Sequence, residues 1–171
     1  MSKKSLNILI IAILIIIGGF FVLRKPEEKN ISQSLYPVQI QKTFFGEKGA
    51  KVVLENGEIK LDAEQFDDNN AKFYNTQMPD GKIIYFFAVK DKNGIYRAAA
   101  NACAVCFKTY KGFYQEGNEI ICNNCGNRYP IEKIATEKGG CNPGPISPNL
   151  EVKNGEIIIK QADIERVVDL F

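Results

Sequence analysis

Five cysteines carry the chemistry of this sequence. Cys103-Ala-Val-Cys106 is followed by fifteen residues and then by Cys122-Asn-Asn-Cys125. Two C-x-x-C pairs at this separation form a metal-site signature. A two-residue gap lets both sulfurs of a pair turn toward one centre, and a hairpin between the pairs brings the two turns together. Thiolates suit Zn²⁺ or iron–sulfur clusters and disfavour hard, oxygen-seeking ions. Gly126, directly after Cys125, supplies the backbone freedom that a metal-binding turn often needs. Cys103, Cys106, Cys122 and Cys125 are therefore the expected ligands. Cys141 lies in the rigid loop Gly139-Gly140-Cys141-Asn142-Pro143-Gly144-Pro145. It reads as a spare ligand, a thiol near the site, or an ordinary buried cysteine.

Disulfides are the competing reading, because exported proteins often pair their cysteines. Five is an odd number, and a C-x-x-C disulfide closes too short a loop to stabilise much through chain entropy. Redox-active C-x-x-C pairs are a further alternative. They usually open a helix beside a strand, and this region reads as strands and loops. Tyr110, Tyr114, Tyr129, Phe107 and Phe113 surround the cysteines in sequence and are expected to shield the site and pack the core.

The chain has no histidine. That excludes Ser-His-Asp and Cys-His nucleophile sites, H-E-x-x-H metalloproteases, C-x-x-C-H haem attachment and any centre that needs imidazole. The paired carboxylates Asp67-Asp68 and Asp62-Ala-Glu64 sit in a polar, Asn-rich stretch and read as a solvated loop. No P-loop or G-x-G-x-x-G is present, so nucleotide binding has no support. A net charge of +2 over 171 residues gives no basis for nucleic-acid binding. With 45% hydrophobic and 25% charged residues, the composition is that of a folded domain.

The elements that must position the thiols read as mostly β. Asn56-Gly57 lies within Val52 to Leu61, Asn93-Gly94 within Ile83 to Ala98, Glu116-Gly117-Asn118 within Phe113 to Ile121, and Asn154-Gly155 within Leu150 to Ile159. Each is a turn signal between apolar runs, and together they predict antiparallel hairpins. Ile83 to Val89 is apolar throughout and reads as a central strand buried on both faces. Ile164, Val167, Val168 and Phe171 recur at helical spacing, which predicts a short closing helix over Gln161 to Phe171.

Ahead of this domain, Leu6 to Leu23 is apolar apart from Asn7. Eighteen residues as a helix span about 27 Å, close to the ~30 Å hydrocarbon core of a bilayer. No small-residue cleavage site follows, so the segment reads as an uncleaved anchor. The short leader with Lys3 and Lys4 is placed in the cytoplasm, and the rest of the chain outside. Beyond residue 23 the formal charges are 20 basic and 20 acidic, with no second, electrostatic attachment to lipid. The expected organisation is a membrane anchor at 1–23, a polar linker at 24–37 and an extracytoplasmic β-rich cysteine-cluster domain at 38–171.

The run Asn101-Ala-Cys-Ala-Val-Cys, then Gly112-Phe113, Ile120-Ile121-Cys-Asn-Asn-Cys-Gly126, Tyr129 and Pro145 resembles a Rieske domain. The resemblance implies a Rieske-like antiparallel β-domain with two metal-binding loops closed by a proline-rich third. Rieske centres use two cysteines and two histidines, and here Cys106 and Cys125 stand where imidazoles are expected. A true Rieske cluster is thereby excluded, and all-thiolate ligation favours a lower potential. The sequence is more similar still to the FtrD-like membrane iron–sulfur family. That likeness rests on Gly94-Ile-Tyr-Arg-Ala-Ala-Ala-Asn-Ala-Cys-Ala-Val-Cys-Phe-Lys, Lys111-Gly-Phe-Tyr-Gln-Glu-Gly, Ile121-Cys-Asn-Asn-Cys-Gly and Lys138-Gly-Gly-Cys-Asn-Pro, and is specific over roughly Ile83 to Ile146. It implies an iron–sulfur cluster as cofactor, with zinc as the alternative. It also implies electron transfer or support of iron handling at the cell surface, with a redox or iron-transport partner, rather than an enzyme. A structural zinc module that presents a binding surface and a thiol–disulfide redox protein are the competing functions.

Overall fold

Ile83–Lys90 (β4) lies at the centre of the largest sheet, as its unbroken apolar run requires. The computed structural model describes residues 43–171. The anchor at 1–23, the linker at 24–37 and the first residues of the expected domain lie outside the described residues. Among the described residues no helix is long and apolar enough to cross a membrane.

The first sheet has five strands in the order Ala50–Lys51 (β1), Lys72–Gln77 (β3), β4, Tyr96–Cys103 (β5) and Pro143–Ser147 (β9). A second sheet joins Glu151–Lys153 (β10), Glu156–Lys160 (β11) and Glu58–Asp62 (β2). A third joins Phe113–Glu116 (β6), Glu119–Cys122 (β7) and Arg128–Pro130 (β8). Every pairing between these strands is antiparallel except β1 with β3, which is parallel. The described chain is thus mainly β with antiparallel sheets.

Side chains alternate across a strand, so β4 feeds two cores. Phe86 and Ala88 pack with Ile59, Leu61, Ile157 and Ile164 in the first core. Phe87 and Val89 point the other way, to Phe113, Ile120, Ile131, Cys103 and Cys122 in the second.

The turns differ in detail from their sequence signals. Asn56-Gly57 and Asn154-Gly155 have positive φ at both residues, the geometry that Asn-Gly favours. At Asn93-Gly94 only the glycine has positive φ. Asp91 there accepts hydrogen bonds from the backbone N–H groups of Asn93 and Ile95, drawing the connection into a longer loop. Val52 to Leu54 does not pair with β2 as a hairpin arm. The Val52 N–H donates to the Asn75 carbonyl, which carries the chain on along β3, and the partner of β2 is β11.

The closing helix is shorter than its periodicity predicts. A helix (α1) covers only Gln161–Glu165, and a 3-10 turn follows at Val168–Leu170. Adjacent β-branched Val167 and Val168 favour helix weakly. Ile164 and Val167 are nevertheless buried, and Val168 and Phe171 pack against the first core.

Candidate metal centre

Three chain segments converge at one end of the second core. Cys103 is the last residue of β5 and pairs with Pro143, the first residue of β9. That pairing draws the loop holding Cys141 to the site. Cys122 ends β7, opposite Phe113 on β6. The β6–β7 hairpin therefore delivers the second C-x-x-C loop to the first.

The two C-x-x-C loops repeat one local arrangement. The N–H groups of Val105 and Cys106 are directed at the Cys103 sulfur, the latter at 3.1 Å. The N–H groups of Asn124 and Cys125 are directed in the same way at the Cys122 sulfur. Such donors favour a thiolate acceptor. The second loop closes through Gly126, whose N–H donates to the Cys122 carbonyl and whose φ is +74°. The first loop has Phe107 in the equivalent place and runs into a 3-10 turn at Phe107–Thr109 instead.

All five sulfurs belong to one cluster. The sulfurs of Cys103, Cys106 and Cys122 lie within 4.8 Å of one another, as do those of Cys106, Cys125 and Cys141. Cys106 and Cys141 are 4.0 Å apart. The sulfurs of a tetrahedral thiolate site stand about 3.8 Å apart, so these spacings suit a thiophilic metal. Cys103 and Cys122 are buried, Cys106 and Cys141 half-buried, and Cys125 exposed. Cys141 thus lies at the site, beside Cys106 and Cys125, as both its ligand role and its neighbouring-thiol role require.

Three asparagines bind the loops together, and sequence reasoning gave them no role. Asn101 is buried two residues before Cys103; its Oδ1 accepts the Phe113 N–H at 2.6 Å and its Nδ2 donates to the Glu47 carbonyl at 2.8 Å. Asn123 donates to the Lys111 carbonyl, and Asn124 Nδ2 donates to the Cys106 sulfur at 3.3 Å. The sole advance signal is their position beside the cysteines.

The aromatic shell is less complete than the sequence predicts. Phe113 is fully buried in the second core, and Tyr129 packs half-buried against it. Tyr114 is 43% exposed, because alternation along β6 turns it away from Phe113. The paired carboxylates are all exposed, but only Asp67 and Asp68 lie in a turn, paired with Lys90 and Lys72; Asp62 ends β2 and accepts the Glu64 N–H, capping a 3-10 helix at Ala63–Phe66.

Burial pushes the Cys103 thiol up, and pushes Cys122 to about 12. Burial, together with the neighbouring thiols, also raises Cys141 to about 12. The Asn127 N–H holds Cys125 below the ordinary thiol value. Several thiolates this close repel one another unless a cation lies among them, and a bound metal reverses that penalty. With no imidazole in the chain, the donor set is sulfur-rich and fits a zinc ion or an iron–sulfur cluster.

Residues 66–171 match the family described as membrane iron-sulfur containing protein, FtrD-like. The matched region takes in all five cysteines and extends on both sides of the stretch where the motifs are most specific. No curated protein and no solved structure matches the chain. The match spans more than half of the sequence, and the chain belongs to the FtrD-like family of membrane iron–sulfur proteins.

Proposed function

We propose that this chain is a membrane-anchored iron–sulfur protein that transfers electrons in support of iron handling at the cell surface. The observation that carries the reading is the convergence of five thiols, from three segments, with no histidine in the chain to complete another kind of centre. In this reading residues 6–23 form a single membrane span, and the domain stands outside the cytoplasmic membrane. Two C-x-x-C loops and a third, glycine- and proline-rich loop support a Rieske-like arrangement with thiols in place of imidazoles.

Cys103, Cys106, Cys122 and Cys125 would hold the cluster. Its contribution when bound is a reversible one-electron step, at a potential lowered by all-thiolate ligation relative to a Rieske centre. The residues around it supply the rest. The N–H groups of the two loops favour the charged form of Cys103 and Cys122, and the second core keeps water from them. Exposed Cys125 leaves one edge open to a partner. A redox or iron-transport protein of the same membrane suits that edge.

A visible spectrum with metal and sulfide analysis of the full chain, purified in detergent without oxygen, tests this. Iron and acid-labile sulfide with sulfur-to-iron absorption are expected. A colourless protein with one zinc and no redox wave would replace this reading with a structural module. Metal-free protein with oxidised cysteines, unable to take up metal after reduction, would favour thiol–disulfide chemistry; the lowered Cys125 would then be the attacking thiol.

A further inference from the structure

The five thiols do not form one ring. They form two triads that share Cys106. The triad of Cys103, Cys106 and Cys122 holds both buried sulfurs. The triad of Cys106, Cys125 and Cys141 faces outward. A four-thiolate centre resting on the first triad has one place left, and the second triad offers two sulfurs for it. Both lie within 4.8 Å of the Cys106 sulfur and within 4.8 Å of each other, and Cys125 also reaches the Cys122 sulfur.

Their backbones reach the site by separate routes. Cys125 is carried on the turn closed by Gly126, beyond the end of β7. Cys141 is carried two residues ahead of Pro143, which β5 holds opposite Cys103. Neither thiol therefore depends on the other for its place.

We propose that Cys125 and Cys141 are alternative fourth ligands of the centre anchored by Cys103, Cys106 and Cys122, for a thiophilic metal ion or an iron–sulfur cluster. The inference rests on the metal-centre reading above and deepens it. Whichever of the two binds does so as a thiolate and gives its proton to solvent; the other stays a free thiol, and no electron moves. Cys103, Cys106 and Cys122 hold the centre while its outward ligand differs from molecule to molecule.

The test uses the full chain in detergent, with cobalt(II) as the probe and with iron and sulfide in a parallel series. Cys125→Ser and Cys141→Ser are each expected to keep cobalt affinity within a few-fold of wild type, with shifted sulfur-to-metal bands. The double variant is expected to lose about tenfold or more, as Cys122→Ser does alone. Cys141→Ser with unchanged affinity and bands would overturn the proposal. So would Cys125→Ser losing as much as the double variant.

A second measurement needs no variant. Brief alkylation of the loaded wild type, read by mass spectrometry, is expected to label Cys125 in some chains and Cys141 in others, sparing Cys103, Cys106 and Cys122. Complete protection of both, or complete labelling of one, contradicts the inference. A wild type that binds cobalt but carries no iron or sulfide would remove the iron–sulfur reading and leave the Cys125–Cys141 comparison intact.

Discussion

At the scale of single residues, Asn101 is the amide on which the site's geometry turns. It uses both ends of its side chain, accepting from the Phe113 N–H and donating to the Glu47 carbonyl, and it is buried. Gly112 is fitted to it: a Cβ there would lie 2.5 Å from Asn101 Oδ1, and φ is +64°. Asn101→Ala leaves a buried N–H and a carbonyl without partners, at a cost of roughly 1–3 kcal/mol. Stability in urea titration is expected to fall by that amount, as a lower midpoint with an unchanged slope, and metal affinity to weaken because β5 and β6 lose their tie. An unaltered midpoint would show that water replaces the amide at no cost. The two C-x-x-C pairs were legible from spacing, because metal ligation constrains residue type and interval together; Cys141 has no such partner in sequence, and its place at the site comes from the fold. Asn101, Asn123 and Asn124 were not legible, because an asparagine's role depends on which carbonyl, amide or sulfur the fold brings to it.

At the scale of elements, the hairpins show how far turn chemistry reads. Asn56-Gly57 and Asn154-Gly155 adopt the backbone that their residue types favour. The β4–β5 turn also has Asn-Gly, yet Asp91 decides its form. Its Oδ1 accepts from the Asn93 and Ile95 N–H groups, and its Oδ2 receives Arg97 through Nε at 3.2 Å and Nη2 at 2.9 Å. Arg97 also donates to the Pro148 carbonyl, tying the hairpin to the chain after β9. Both members of the pair are buried. Asp91→Ala strands a buried guanidinium and opens the turn, and is expected to destabilise the protein by about 3–5 kcal/mol in denaturant titration. Asp91→Asn keeps the turn's acceptor while removing the charge, so a smaller loss is expected. Equal losses would mean that the ion pair carries the whole effect. Local signals marked the β4–β5, β6–β7 and β10–β11 hairpins but not β3–β4 or β7–β8, and the pairing of β2 with β11 joins segments far apart in sequence. No turn residue encodes a partner at that distance. The tail helix stopped early for a local reason, the Val167-Val168 pair, while its apolar residues still met the first core.

At the scale of the whole molecule, the division into two cores makes metal and stability separable. The first core is built from β2, β11, α1 and one face of β4, and contains no cysteine. The second contains Cys103 and Cys122, with Cys106, Cys141 and Tyr129 packed against it. The third sheet, β6 to β8, contributes Phe113, Ile120 and Cys122 to this second core, with Tyr129 packed against it. Its β8 strand is only three residues long, and the loop from Asn123 to Arg128 is exposed throughout. Such a unit has few contacts to hold it once no metal joins its end to the other two segments. A metal bound there would be coupled to local order, while the first core keeps its own apolar burial. Removing the metal from the loaded full chain is therefore expected to raise amide exchange by about tenfold or more at Ile120, Ile121 and Tyr129. Exchange at Ile59 and Ile157 in the first core should stay close to its loaded rate. The shared strand β4 makes this a sharp test, because it belongs to both cores. If Phe86 and Phe87 stay protected together, the boundary of metal-dependent order runs between the first and third sheets. If every amide speeds up in step, the centre is instead a condition of the entire fold, and the two cores form one cooperative unit.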